Sequence, residues 1–382
     1  MPKPNIVIIV LDTLREDHAQ GLDKLLDYGF VKYQNAIAPA PWTLPSHASM
    51  FTGLYPSEHG IHETKELRGS ELASFSRLRM ASLRDYNILH KAKEDGYTTY
   101  LISANFAIIH PALGFEADIN IVIDPIRNIA YTDDVSEIDK EFEKLESRLK
   151  FVIYNIRNYK KLWNGARLFV SRRLNLVPKY LSEYFVREKG GKLALNFVEK
   201  INFVQPFFLF INLMESHDPF TSLHTSERLR CVSLKWALTG ELHPHDVKLW
   251  RKYHIHAKRA VTRAIQIIET LGQKNMLDNT FVIITADHGE LIGDGGVWHI
   301  YSLKDGNIKV PLYVKYPSTW KRKPQKNRYI SLTEIPKIVD KDINALGSQF
   351  AIAETFGIHD PDYLFDRCNL PRPSDETFHH KI

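Results

Sequence analysis

Two apolar runs that each end in an acidic residue constrain this chain most. Asn5-Ile-Val-Ile-Ile-Val-Leu is followed by Asp12, and Asn279-Thr-Phe-Val-Ile-Ile-Thr-Ala is followed by Asp287-His288-Gly-Glu290. Neither run alternates polar and apolar residues. Unbroken β-branched runs of this length belong to strands covered on both faces, as in the middle of a parallel sheet. Open α/β sheets carry their sites just beyond the carboxyl ends of their strands. Asp12, Asp287 and His288 are therefore expected on one rim. Carboxylates at the ends of buried strands are costly to bury unless a cation compensates them.

A third stretch supplies a hydroxyl. Pro39-Ala-Pro-Trp-Thr-Leu-Pro-Ser-His-Ala-Ser-Met-Phe-Thr-Gly53 opens with prolines, which fix φ and favour an extended approach. Thr43 then sits where a helix begins, Pro45 suits its first turn, and Gly53 can stop it. Free N–H groups and the positive end of the helix dipole gather there, a setting that suits an anionic ester. Thr43 as an ordinary N-cap is the plainer alternative. Two carboxylates, one imidazole and one hydroxyl on a shared rim describe a metal site with a built-in nucleophile.

The rest of the chain fits an α/β alternation. Strands are expected at 30–36, 97–102, 119–123, 206–214, 280–286 and 310–314, with Glu215, His217 and Asp218 delivered to the rim after the fourth. Helical patterns cover 23–28, 82–96 and, longest, 246–271. With 382 residues and 44% hydrophobic content, there is material for one large domain with a full core. Only Cys231 and Cys368 are present, which points to no disulfide framework and to a reducing compartment. The first strand starts almost at once, leaving no room for a signal peptide, so a soluble cytoplasmic protein is expected.

Taken in order, these motifs resemble the sulfatase branch of the alkaline phosphatase superfamily. The matching pieces are Val10-Leu-Asp-Thr-Leu-Arg15 with Asp17-His18, Trp42 to Pro56 with His59-Gly60, Glu215-Ser-His-Asp-Pro219, Ala286 to Glu290, and Trp298-His299 followed by Val310 to Val314. The resemblance runs from residue 5 to about residue 340. It implies a three-layer α/β/α sandwich with a mostly parallel central sheet and a reduced C-terminal subdomain. Residues 1–382 then form a single domain, with a helical insertion at 125–195 and a short extension at 341–382. It also implies Asp12, Asp287 and His288 as metal ligands, with Thr43 bridging metal and substrate.

Two departures from the family pattern shape the expected chemistry. Calcium-dependent sulfatases commonly carry two adjacent carboxylates after the first strand, whereas Thr13 fills the second place here. A mixed O/N shell favours Mn²⁺ or Zn²⁺, with Mg²⁺ or Ca²⁺ as further options. In sulfatases the nucleophile is a Cys or Ser oxidised to formylglycine, and a threonine is not expected to be converted. Relatives with a Thr nucleophile are phosphodiesterases or phosphoglycerol transferases. The resemblance therefore implies phosphoester hydrolysis or transfer through Thr43, with metal-assisted deprotonation of its hydroxyl. His47 stands where the family has Arg and could donate to a phosphoryl oxygen, or simply bond to helix backbone. His217 and His299 resemble the family's substrate-side residues. Arg15 and Asp17 would orient the site, and Glu290 would cap a helix or bond a ligand. Alternatives are a sulfuric ester hydrolase without formylglycine, and an inactive relative that binds an anionic glycan or lipid.

Charge is concentrated in one place. Between Arg148 and Lys192 there are twelve Lys and Arg against two Glu, with Phe151, Tyr154, Trp163, Phe169 and Tyr184 interleaved. Helices of this composition can lie on an anionic membrane surface beside a lipid-linked substrate. The alternatives are a lid that attracts an anionic substrate, or an ordinary solvated face. No nucleic-acid motif accompanies the charge.

Overall fold

A computed structural model describes residues 3–67, 69–125, 129–132, 188–220, 226–320, 328–339, 347–357 and 362–371. Of the insertion expected at 125–195, residues 126–128 and 133–187 fall outside the described structure, and of the extension expected at 341–382, residues 341–346, 358–361 and 372–382 do. Among the described residues, no helix is long and apolar enough to cross a membrane.

The strands are β1 (Asn5–Leu11), β2 (Phe30–Ile37), β3 (Thr98–Ser103), β4 (Ile119–Asp124), β5 (Ile129–Tyr131), β6 (Phe207–Leu213), β7 (Thr280–Thr285), β8 (Leu291–Ile292), β9 (Val297–Trp298), β10 (Lys309–Lys315) and β11 (Ile330–Ser331). Nine of them form one sheet in the order β11-β2-β10-β7-β1-β6-β3-β4-β5, and β8 pairs with β9 in a small hairpin. The centre, β7-β1-β6-β3-β4, is parallel throughout. β10 runs antiparallel to both its neighbours, and β5 runs antiparallel to β4. β1, β6 and β7 are buried along their whole length, as their unbroken apolar sequences require.

The helices are α1 (Thr43–Thr52), α2 (Pro56–His59), α3 (Gly69–Ser82), α4 (Ile88–Glu94), α5 (Gly191–Lys200), α6 (Ser226–Thr239), α7 (Pro244–Val247), α8 (Tyr253–Gln273), α9 (Asp305–Ile308), α10 (Ile335–Val339) and α11 (Asp362–Cys368). α8 packs on β1 and α5, while α1 packs with α2, α4 and α10, giving helical layers against the sheet. The Phe51 ring of α1 meets Phe210 of β6 edge-on at 4.8 Å, which fastens the hydroxyl-bearing helix to the central strand. Two helical expectations are corrected. The 246–271 pattern is divided, because a turn separates α7 from α8. The 82–96 pattern begins later, since the Asn87 side chain accepts from the Leu89 N–H at 2.9 Å and caps α4 there.

The cysteine expectation is also corrected. Cys231 in α6 and Cys368 in α11 are joined in a disulfide, with Cα atoms 5.2 Å apart. The partners are 137 residues apart, so their spacing carries no pairing signal and only the fold brings the two helices together.

His59 ties α2 to α1. Its Nδ1 accepts from the Ile61 N–H at 2.9 Å, and its Nε2–H faces the Pro45 carbonyl at 3.2 Å. Burial holds its pKa down at about 3, although the Pro45 bond opposes this. An unfolded histidine near pH 6.5 takes up its proton first, so this residue contributes stability above that pH and loses it as the pH falls towards 3. Urea melts of wild type and His59→Gln across pH 7 to 4.5 isolate the effect from other titrating groups. Wild type is expected to lose up to about 1.4 kcal/mol more per pH unit than the variant. Parallel pH slopes would remove His59 as the cause.

Candidate active site

The rim of the sheet is set by strand register. Val10 lies opposite Asn212 of β6 and Thr285 of β7, so the chain leaves three neighbouring strands at one level. Asp12 and Asp287 leave there side by side, and the Asp12 N–H donates to the Leu213 carbonyl at 2.9 Å. Thr13 then turns sharply with φ 62°, a left-handed conformation that costs a β-branched residue energy. Its N–H donates to Asp287 Oδ1 at 3.2 Å, and its carbonyl accepts from the Tyr253 hydroxyl at 2.7 Å. Thr13 thus spends its backbone N–H on holding the other aspartate.

Asp12, Asp287 and His288 are fully buried, and one donor atom from each lies within 4.8 Å of the others. Asp12 Oδ2 accepts from Asn105 Nδ2 at 3.2 Å, and Asp287 Oδ1 accepts from the His288 N–H at 2.9 Å. Asp12 Oδ1 and Asp287 Oδ2 take no hydrogen bond. His288 Nδ1–H donates to the Gly289 carbonyl at 2.9 Å, leaving Nε2 as a lone pair 3.5 Å from Asp287 Oδ2 and 3.9 Å from Asp12 Oδ1. Burial, then the charge of Asp287, pushes the Asp12 carboxyl up to about 7, and His217 and Asn105 only partly offset this. Two carboxylate oxygens without hydrogen bonds, and an imidazole nitrogen that meets the Thr43 hydroxyl at 3.3 Å, all walled from water, fit a divalent cation. Ordinary polar packing does not leave buried carboxylate oxygens without partners.

Thr43 closes this arrangement. Trp42 takes the cap position of α1 without a side-chain bond, and Thr43 is the first helical residue. Its hydroxyl is therefore not spent on capping and lies 3.3 Å from His288 Nε2. Ser46, one turn on, donates from Oγ to the Asp287 carbonyl at 2.6 Å, locking α1 to the end of β7. His47 is buried, and both its ring nitrogens have protein partners. Nδ1–H donates to the Thr43 carbonyl at 2.9 Å, and Nε2 accepts from Asn212 Nδ2 at 3.3 Å. The ring joins α1 to β6, with Nδ1 also 3.5 Å from Asp287 Oδ2.

The opposite wall carries His217 and His299, with ring centroids 5.2 Å apart. His217 Nδ1–H donates to the Asp218 carbonyl at 2.9 Å. Burial acts to lower its pKa, but the charges of Asp218 and Asp12 prevail and raise it. His299 Nδ1 is held by Glu290 Oε2 at 2.7 Å, and Glu290 Oε1 accepts from Trp250 Nε1 at 2.8 Å. The Glu290 carboxylate thus orients an imidazole. Arg15 clasps Asp17 through Nε and Nη2 at 2.8 and 2.7 Å and reaches Asp294 of the β8–β9 turn at 2.6 Å. His217, Asp218 and His299 also bring one donor atom each within 4.8 Å.

A buried threonine hydroxyl beside an Asp-Asp-His trio at the rim of a mixed sheet can be compared with known proteins. The model of the family described as "Sulfatase" matches residues 4–340. The chain belongs to the sulfatase family. A curated relative, choline-sulfatase of Rhizobium meliloti, is 21% identical over 361 residues, covering 82% of this chain and 63% of the relative. This sulfatase-family chain therefore spans less than two thirds of that relative's length. Two solved structures share the fold. Phosphonate monoester hydrolase of Silicibacter pomeroyi superposes with TM-score 0.57 at 15% identity, over 90% of this chain and 73% of the other. The C-terminal periplasmic domain of EcEptC from Escherichia coli, solved in complex with Zn, gives 0.54 at 12% identity, over 93% and 90%.

The structure brings Asp12, Thr43, His47, His217, Asp287, His288 and His299 to this one rim. It adds others that carried no sequence signal. Asn105 reaches Asp12 from the end of β3, and Asn212 is an ordinary strand residue until α1 lies against it. Ser216 donates to the Asp12 carbonyl at 2.6 Å. Lys189 is buried behind the site, where its ammonium donates to the His217 carbonyl. Asp287→Ala is expected to lower bound divalent metal to background by elemental analysis while leaving far-ultraviolet circular dichroism unchanged. Wild-type metal content in that variant would refute the assignment.

Proposed function

We propose that this sulfatase-family chain is a metal-dependent hydrolase or transferase of phosphate-type esters (monoesters, diesters or phosphonates) that works through Thr43. One observation carries the reading: the nucleophile position holds an uncapped, buried threonine hydroxyl hydrogen-bonded to His288 Nε2 at 3.3 Å. Asp12, Asp287, His288 and Thr43 would hold a divalent cation, and such a cation supplies charge neutralisation and a more acidic threonine hydroxyl.

The chain's own groups would do the rest. Thr43 Oγ attacks phosphorus as its proton leaves for solvent, and the P–O bond to the leaving group breaks as the Thr43 Oγ–P bond forms. Its position at the start of α1 puts the developing negative charge near free helix N–H groups. His217, whose pKa the charges of Asp218 and Asp12 raise, can give a proton to the departing oxygen, with the His299 ring beside it. Glu290 fixes the His299 ring in that place. His47 positions Thr43 through its carbonyl. Acceptance of the phosphoryl group by water gives hydrolysis, and acceptance by an alcohol gives transfer.

Sulfate esters are the second reading, favoured by the curated relative that is a choline-sulfatase. A sulfated threonine lacks the aldehyde hydrate through which formylglycine releases sulfate, and this weighs towards phosphorus. The two readings separate with matched aryl phosphates, phosphonates and sulfates assayed with Mn²⁺, Zn²⁺, Mg²⁺ or Ca²⁺. Phosphorus esters are expected to turn over faster, Thr43→Ser to retain some activity, and Thr43→Ala to lose about a thousandfold or more. Intact mass is expected to match unmodified threonine. Faster sulfate cleavage would overturn the choice of ester, and near-wild-type rates in Thr43→Ala would overturn the choice of nucleophile.

A further inference from the structure

Residues 347–357 lie beyond the segment that matches the family, yet they touch both walls of the site. The Glu354 N–H donates to the Pro39 carbonyl at 2.9 Å, in the proline-rich approach to Thr43. The Glu354 carboxylate accepts from the Ser57 N–H and Oγ–H, both at 2.7 Å, at the start of α2. One residue on, Thr355 Oγ–H donates to the Ile300 carbonyl at 3.3 Å. Phe356 then stacks on His62 with ring centroids 3.5 Å apart and planes 8° from parallel. The Ile300 N–H in turn donates to the Pro41 carbonyl at 2.9 Å. The strap, the Thr43 approach and the His299 loop are thus hydrogen-bonded in one stack.

The loop it grips needs support. His299 stands between Trp298 at φ 71° and Ile300 at φ 76°, both left-handed and neither glycine. Such residues relax to ordinary φ values unless neighbouring structure holds them. The crevice between the strap and Trp42, Pro45 and Ile300 leaves about 10 Å³, the room of one water, so no substrate group fits there. The strap is a packed buttress and not a binding groove.

We infer that Glu354 and Thr355 are positioning residues: the strap holds the strained His299 loop and the Thr43 approach in mutual register. The inference rests on the Thr43 reaction proposed above and adds an element of that reaction from outside the family segment. A displacement of about 1 Å between reacting groups costs about a hundredfold in rate, so loosening either anchor is felt at the chemical step.

The experiment compares wild type with Thr355→Val, which keeps the shape of the side chain, and Glu354→Ala, in the aryl ester assay with metal bound. Amide hydrogen exchange over residues 297–302 is measured on the same three proteins. Both variants are expected to lose about tenfold to a hundredfold in kcat. KM is expected to stay within about twofold, bound metal to be unchanged, and exchange at 297–302 to be faster. Wild-type kcat and wild-type exchange in both variants would overturn the inference. So would a loss of kcat matched by loss of metal and of global stability, which marks a merely structural role. Should wild type cleave none of the esters, the proposed reaction falls, and faster exchange at 297–302 in the variants still decides whether the strap holds the loop.

Discussion

Two negative charges are forced together at the rim of this sheet, and much else follows from that. Asp12 and Asp287 end adjacent parallel strands, are fully buried, and each keeps one oxygen without a hydrogen bond. The surrounding groups do what they can with neutral donors. The Thr13, His288 and Asn105 N–H groups satisfy the other two oxygens. Burial, and then the charge of Asp287, hold the Asp12 carboxyl above its ordinary value, and His217 offsets this only in part. A divalent cation would reverse that electrostatic balance in one step. The site is thus ordered by repulsion that the protein alone leaves uncompensated.

The sequence made the frame of the site legible because its aspartates close long apolar strands. Asp12 and Asp287 are displayed by the periodicity that builds the core, so fold and site come from a single pattern. Thr43 was legible for a related reason: prolines and glycine punctuate the only turn that could present it. The supporting groups were hidden. Asn105 and Asn212 follow or sit within ordinary strands, and their importance arises when β3, β6 and α1 are placed side by side. The disulfide was missed on the same ground, since tertiary proximity between α6 and α11 leaves no mark on spacing. Residues whose roles depend on one element are readable; those whose roles depend on two distant elements are not.

Strain accumulates beside the reactive groups. Thr13 follows the first aspartate, and Trp298 and Ile300 bracket His299, all with positive φ and all β-branched or aromatic. Each is fixed by bonds from elsewhere in the chain: Tyr253 at Thr13, Asp218 at Trp298, and Pro41 and Thr355 at Ile300. The rigid sheet supplies the face that carries Asp12, Asp287 and His288, and the surrounding loops are held to it by contacts spread through the sequence. A wall built in this way depends on parts of the chain that carry no reactive group.

The bond between Cys231 and Cys368 has a topological consequence. It closes a ring of chain that contains Asp287, His288, His299 and the strap, while Asp12, Thr43 and His217 lie outside it. A single proteolytic cut between those cysteines opens the ring without releasing a fragment. The half of the site that lies within the ring stays covalently tethered to the half outside it, and only reduction together with cleavage separates them.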